Sequence, residues 1–168
     1  MVETQSALGE MRYYHLVHKK PDMVLPSLIK KSIERGMNAV VKSENPNRLS
    51  MIDKDLWKNP PESFLPHLMV NALPQAELSA QQRQEYQHCP LLLTMLDSVG
   101  AFNDAKILFL LDHAAIDQNH NYQRICRLFD GNDQAELSFA RQQWVLDRDA
   151  GFQLSYWQQT DEGWQQKL

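Results

Sequence analysis

Hydrophobic and polar positions along this chain switch repeatedly between a period of two and a period near four. Arg12–Val17 mixes aromatic and β-branched residues and predicts a strand. Pro21 and Asp22 open a helix in which Leu25, Leu28, Ile29 and Ile33 form one apolar stripe, and Gly36 stands where a C-terminal cap belongs. Asn38–Val41 is a short apolar strand. Asn45-Pro46 begins a second helix running to about Trp57, since proline is tolerated in a first turn. The proline-rich Lys58–Pro66 cannot be regular helix. Leu68–Ala72 and Leu91–Met95 read as strands, and the polar Gln75–His88 between them as a surface helix or a loop. Lys106–Leu111 (KILFLL) is the clearest buried strand, with Asp112 at its C-terminal end. Two helical stretches, Asn119–Phe129 and Asp133–Ala150, follow, divided by Asp130-Gly131-Asn132, with Gly151 capping the second. Phe152–Trp157 is a short apolar tail, and the polar Gln158–Leu168 is expected to fray.

Strands that alternate with helices, several of them continuously apolar, predict a mostly parallel sheet covered on both faces. The expected fold is α/β: a three-layer α/β/α sandwich with a Rossmann-like sheet. One domain over residues 1–168 is expected, with flexible ends at 1–10 and 159–168. The chain shows no internal repeat.

Composition narrows the function. A net charge of −4 supplies no overall basic field for nucleic acid, so DNA is expected to be met only indirectly, through protein partners. Cys89 and Cys126 make neither a disulfide framework nor a zinc knuckle. No apolar run reaches the length of a membrane span and the first residues lack a signal-peptide core, which places the protein in the cytoplasm.

No nucleotide fingerprint is present. The turn after the first strand reads His18-Lys19-Lys20-Pro21, with none of the glycines that let backbone approach a phosphate. His15 and His18 fall on opposite sides of a strand and cannot share a metal without a bend. No cofactor, metal or catalytic group is therefore assigned. The best enzymatic hint is Asp112 and His113 at a strand end, a position where α/β sheets place active sites, and a small hydrolase or transferase is the alternative it supports.

Two groups of residues rise above this background. In Leu56–His67 (LWKNPPESFLPH), Trp57 and Phe64 flank a loop stiffened by Pro60, Pro61 and Pro66, which lowers the ordering cost of a docking surface. The same aromatics could instead plug the core beside an irregular loop. On the last helix, Leu137, Arg141, Trp144, Val145 and Arg148 share one side. Arginines beside an indole suit a ligand with both a carboxylate and an apolar side chain. Alternatively the Trp packs on the sheet and the arginines merely extend to solvent.

Both groups carry a family likeness. Leu56–His67 resembles the LWxxPxESFxPH signature of the chi subunit of bacterial DNA polymerase III. Ala140–Phe152 (ARQQWVLDRDAGF) resembles that family's ending, and the likeness runs in order through nearly the whole chain. The resemblance implies an α/β accessory subunit that is not itself a polymerase. It would bind the psi subunit of the clamp loader and capture the acidic, Phe-ending C-terminal tail of single-stranded-DNA-binding protein. It assigns Trp57, Pro60, Phe64 and Pro66 to the psi surface, which in some bacteria meets a helicase. It assigns Arg141, Trp144, Val145, Arg148 and Gly151 to the tail pocket, with Ala114 on one wall. Trp144 replaces a more usual tyrosine. Leu137 and Val145 stand where some members carry lysine, which weakens the positive field. Extra sequence between Asp112 and the last helix bears on the same wall. A partner docking through Trp57 and Phe64 alone is a further alternative.

Overall fold

The computed structural model describes residues 8–58, 65–70, 78–117 and 121–168. One eight-stranded sheet organises them. Its strands are β1 (Glu10–Leu16), β2 (Ala39–Lys42), β3 (His67–Val70), β4 (Leu91–Thr94), β5 (Ile107–Leu110), β6 (Arg124–Asp130), β7 (Gln153–Thr160) and β8 (Gly163–Gln166). Their order is β3-β4-β2-β5-β6-β1-β7-β8. Neighbours are parallel except β7 and β8, which form an antiparallel hairpin.

The apolar runs form inner strands because both of their faces are covered. Leu91, Leu93, Ile107 and Phe109 face one core with α1 (Pro21–Glu34) and α2 (Pro46–Lys58). Leu92, Leu108 and Leu110 face a second core that takes in Tyr86 of α3 (Ala80–His88) and Ala140 of α4 (Gln134–Ala150). The result is the three-layer α/β/α arrangement with a mostly parallel sheet.

Local chemistry sets the helix ends. Pro21 opens α1, and beyond its C-terminus Gly36 turns left-handed at φ +79°. Ser79 and Gln82 form a reciprocal capping box at α3, which settles the polar 75–88 segment as a helix over its last nine residues. Asp133 caps α4 through the N–H groups of Ala135 and Glu136.

Two expectations are corrected. Of the stretch Asn119–Phe129, expected as a helix, the described residues 121–129 are not helical: from Arg124 they form β6, an inner strand that pairs with β5 and β1. Ile125, Leu128 and Phe129 mimic a helical stripe, but Ile125–Phe129 is buried throughout because both strand faces are covered. Nor do the last residues fray. Gln153–Thr160 lies parallel against β1, and Gly163–Gln166 folds back on it. Gln159 shows why polarity misleads here. It is buried, and its side-chain oxygen accepts from the backbone N–H groups of Val17, His18 and Lys19 at 3.3, 3.0 and 3.0 Å.

Candidate functional site

Helix α4 crosses the sheet where β6, β1 and β7 adjoin, and a groove opens beside it. Leu137, Ala140, Arg141 and Trp144 of α4 meet Phe129 of β6, Tyr156 of β7 and Leu168 around a cavity of about 200 Å³. Its walls are largely apolar, with the exposed Arg141 as its cation. Ring contacts fix the floor. Trp144 stands edge-on to Tyr13 at 5.1 Å and to Tyr156 at 5.8 Å between ring centroids. The Tyr156 hydroxyl is 2.6 Å from Nδ1 of His15, whose ring stacks on Phe129 at 5.2 Å. Burial, and then the Arg141 guanidinium, push the His15 pKa below its ordinary value.

Beneath α4 the Tyr13 hydroxyl donates to Asp147, a buried carboxyl whose pKa burial raises. Arg127 lies nearby, buried, donating to the Ala114 carbonyl at 3.0 Å with its guanidinium over the Phe139 ring. These contacts secure α4 against β1 and β6, so that Arg141 and Trp144 are presented on a rigid element.

The structure therefore brings together only part of the residue set assigned to the tail pocket. Arg141, Trp144 and Leu137 line the cavity. Val145 and Arg148 are exposed on α4 outside its lining, and Arg148 is 3.2 Å from the neighbouring Asp149. Gly151, at φ +100°, caps the helix. Ala114 is fully buried, and the sequence between Asp112 and α4 contains the inner strand β6. Sequence reasoning marked Tyr156 only as an aromatic anchor of the last segment, and it did not place Tyr156, His15, Phe129 or Leu168 at this groove. No local pattern marks β7: Leu154-Ser155-Tyr156-Trp157 does not alternate between apolar and polar, and the strand is part-buried along nearly its whole length.

At the far side of the molecule, Trp57 stands in the last turn of α2 with 59% of its surface exposed. Its ring lies 5.1 Å from that of His67, a buried histidine held by Asp53 at 3.0 Å and near the Leu65 carbonyl at 2.6 Å. Pro66 is exposed beside it. Pro60 and Phe64 lie outside the described residues.

Asp112 and His113 are drawn to different partners. One oxygen of Asp112 takes Arg48, which also holds Asp22 at 2.8 Å, and the other takes the Ser43 hydroxyl. His113 stacks on Phe139 at 4.2 Å. This network ties β2, α1 and α2 to the end of β5. A second one, in which Lys42 bonds Asp97, Asp117 and the Ala115 carbonyl while Tyr122 bonds Asp117, pins the following loop. Among the described residues, no group of three or more His, Cys, Asp or Glu side chains is placed to hold a metal ion, and no helix is long and apolar enough to cross a membrane.

Comparison with curated proteins finds no match. The sequence model of one family, described as DNA polymerase III chi subunit, HolC, matches residues 8–155, from β1 into β7. That match covers most of the chain, including α4 and the Trp57 end of α2, and the protein belongs to the DNA polymerase III chi subunit family.

Proposed function

We propose that this DNA polymerase III accessory subunit is a non-catalytic adaptor whose α4 groove captures the acidic, Phe-ending C-terminal tail of single-stranded-DNA-binding protein. The supporting observation is the groove itself: an apolar slot with an arginine and an indole on the same helix. The tail's terminal ring fills the slot between Trp144, Leu137 and Tyr156. Arg141 receives a carboxylate, a charge-assisted bond of greater strength than a neutral one. The opposite surface at Trp57 and Pro66 docks the psi subunit of the clamp loader or, in its place, a helicase, and the family resemblance adds Pro60 and Phe64 from the same sequence segment. Trp57 is the kind of large exposed side chain that dominates interfaces. The polymerase assembly is thereby linked to coated template strand. This bridging would occur in the cytoplasm, where replication proteins meet.

Asp112 contributes to structure in this reading, because Arg48 and Ser43 already occupy both its oxygens. Titration with an acidic, Phe-ending peptide tests the groove. Arg141→Ala should weaken binding about tenfold or more, the equivalent of roughly 1.5–3 kcal/mol for a bond to a charged group. Arg148→Ala should cost less, since that side chain lies outside the cavity and beside Asp149. Equal affinity of wild type and Arg141→Ala would refute the assignment.

A further inference from the structure

The opposite face of the sheet carries a second groove. It lies between the last turns of α1 and the strands β5, β6, β1, β7 and β8, with a volume of about 190 Å³. Four cations line it: Arg12 on β1, Arg124 on β6, and Lys31 and Arg35 at the end of α1. Glu10 bonds the Nε atoms of both Arg12 and Arg124, at 2.6 and 2.9 Å, holding the two guanidinium groups in place. These four cations are the charged groups of the lining; Glu10 bonds two of them, and Asp161 and Glu162 lie beyond Trp164, in a chain whose net charge is −4. Two half-buried indoles complete the lining. The Arg12 guanidinium sits 5.6 Å from the Trp157 ring, and Trp164 stands edge-on to Tyr14 at 5.0 Å. Trp157 and Tyr156 are neighbours on β7, so one strand serves the two grooves from opposite faces.

We propose that this groove binds single-stranded DNA, with a base seated against Trp157 and Trp164 and the flanking phosphates paired to Lys31, Arg35, Arg12 and Arg124. Cations interleaved with aromatic rings on a sheet surface are the combination that holds unpaired nucleic acid without sequence preference. The slot is smaller than the roughly 300 Å³ usual for a pocket enclosing a whole ligand, so it admits one flat ring while the backbone runs outside. A duplex hides its base faces and cannot use the indoles. An acidic peptide shares the charge, but carries a ring only where its sequence places one. An oligonucleotide offers a phosphate and a ring at every step, and the family belongs to a DNA-synthesising assembly. The contact is a direct one, in addition to any DNA reached through protein partners.

The test is titration of the full-length protein with a labelled oligothymidylate of about 12 nucleotides, a usual site size, followed by tryptophan fluorescence and anisotropy. Quenching of the indoles is expected, with affinity falling about 10- to 20-fold between roughly 50 and 200 mM salt, as for some three neutralised phosphates. The double charge reversal K31E/R35E alters two exposed side chains, one in the last turn of α1 and one at its C-cap, and should abolish binding while the fold is kept. Trp164→Ala should weaken it about fivefold or more. Both variants should bind the acidic tail peptide like wild type, which separates failure here from failure of the α4 assignment. Salt-insensitive binding, binding unchanged in K31E/R35E, preference for RNA of the same sequence, or a Lys31/Arg35-dependent response to the acidic peptide but not to the oligonucleotide would each overturn the proposal.

Discussion

His15 shows how a single side chain is placed and tuned by residues distant in sequence. Its ring lies against Gly131, where an added Cβ would fall 1.9 Å from Nε2 and 2.9 Å from the Leu16 carbonyl oxygen. Gly131→Ala must therefore displace a ring already held by Phe129 and Tyr156, and should destabilise the protein by about 1–3 kcal/mol in chemical denaturation. The imidazole also responds to pH. Its folded pKa lies below the ordinary 6.5, so the neutral ring is the favoured form. That contribution is fully present above pH 6.5 and is lost as pH falls from there toward the depressed value. An anion bound at Arg141 offsets one of the two causes of the depression. Capture of an acidic tail should then be accompanied by proton uptake and should tighten as pH drops below 6.5. Calorimetry in buffers of different ionisation enthalpy measures that uptake, and His15→Asn should remove it.

Among the elements, the β7–β8 hairpin has the largest consequences. It covers the edge of β1, contributes Tyr156 to the α4 groove and Trp157 and Trp164 to the opposite one, and holds the β1–α1 turn through Gln159. The turn carries three N–H donors that converge on one side-chain oxygen. Gln159→Leu keeps the bulk but removes the acceptor, leaving donors without their partner. A loss of about 1–3 kcal/mol is expected, with faster amide exchange at Val17–Lys19 measured by NMR. The hairpin was illegible in the sequence for a physical reason. Its glutamines are the polar half of an edge ribbon, and the one that is buried is satisfied by backbone groups about 140 residues away.

For the molecule as a whole, topology dominates. β1 pairs with β6 and β7, joining Glu10 to Arg124 and to Gln153 across more than a hundred residues. The strands contributed by the first and last parts of the chain must therefore close together before the sheet is complete. Refolding from denaturant should lie in the slow, millisecond-to-second range of parallel and non-local folds, as followed by stopped-flow tryptophan fluorescence. A fast microsecond phase accounting for all the amplitude would contradict this.

Much of the architecture was accessible from local pattern alone. The apolar runs at Leu91 and Ile107, the stripe of α1, Pro21 and Pro46 at helix starts, and the glycines at 36 and 151 each reflect a rule that acts over a few residues. Period, capping and φ preference need no distant partner, so sequence by itself determined the α/β class, three of the four α-helices among the described residues and the α4 face bearing Arg141 and Trp144. Tertiary structure decided what depends on partners far along the chain. Whether Ile125, Leu128 and Phe129 line a helix or a strand turned on the gap between β5 and β1. That Arg141 and Trp144 enclose a cavity with Tyr156 and Leu168, while Arg148 stays outside, followed from how β7 and β8 close the sheet. The basic groove was equally hidden: Arg12, Lys31, Arg35 and Arg124 are scattered in a chain of negative net charge, and only the packing of α1 on the sheet gathers them.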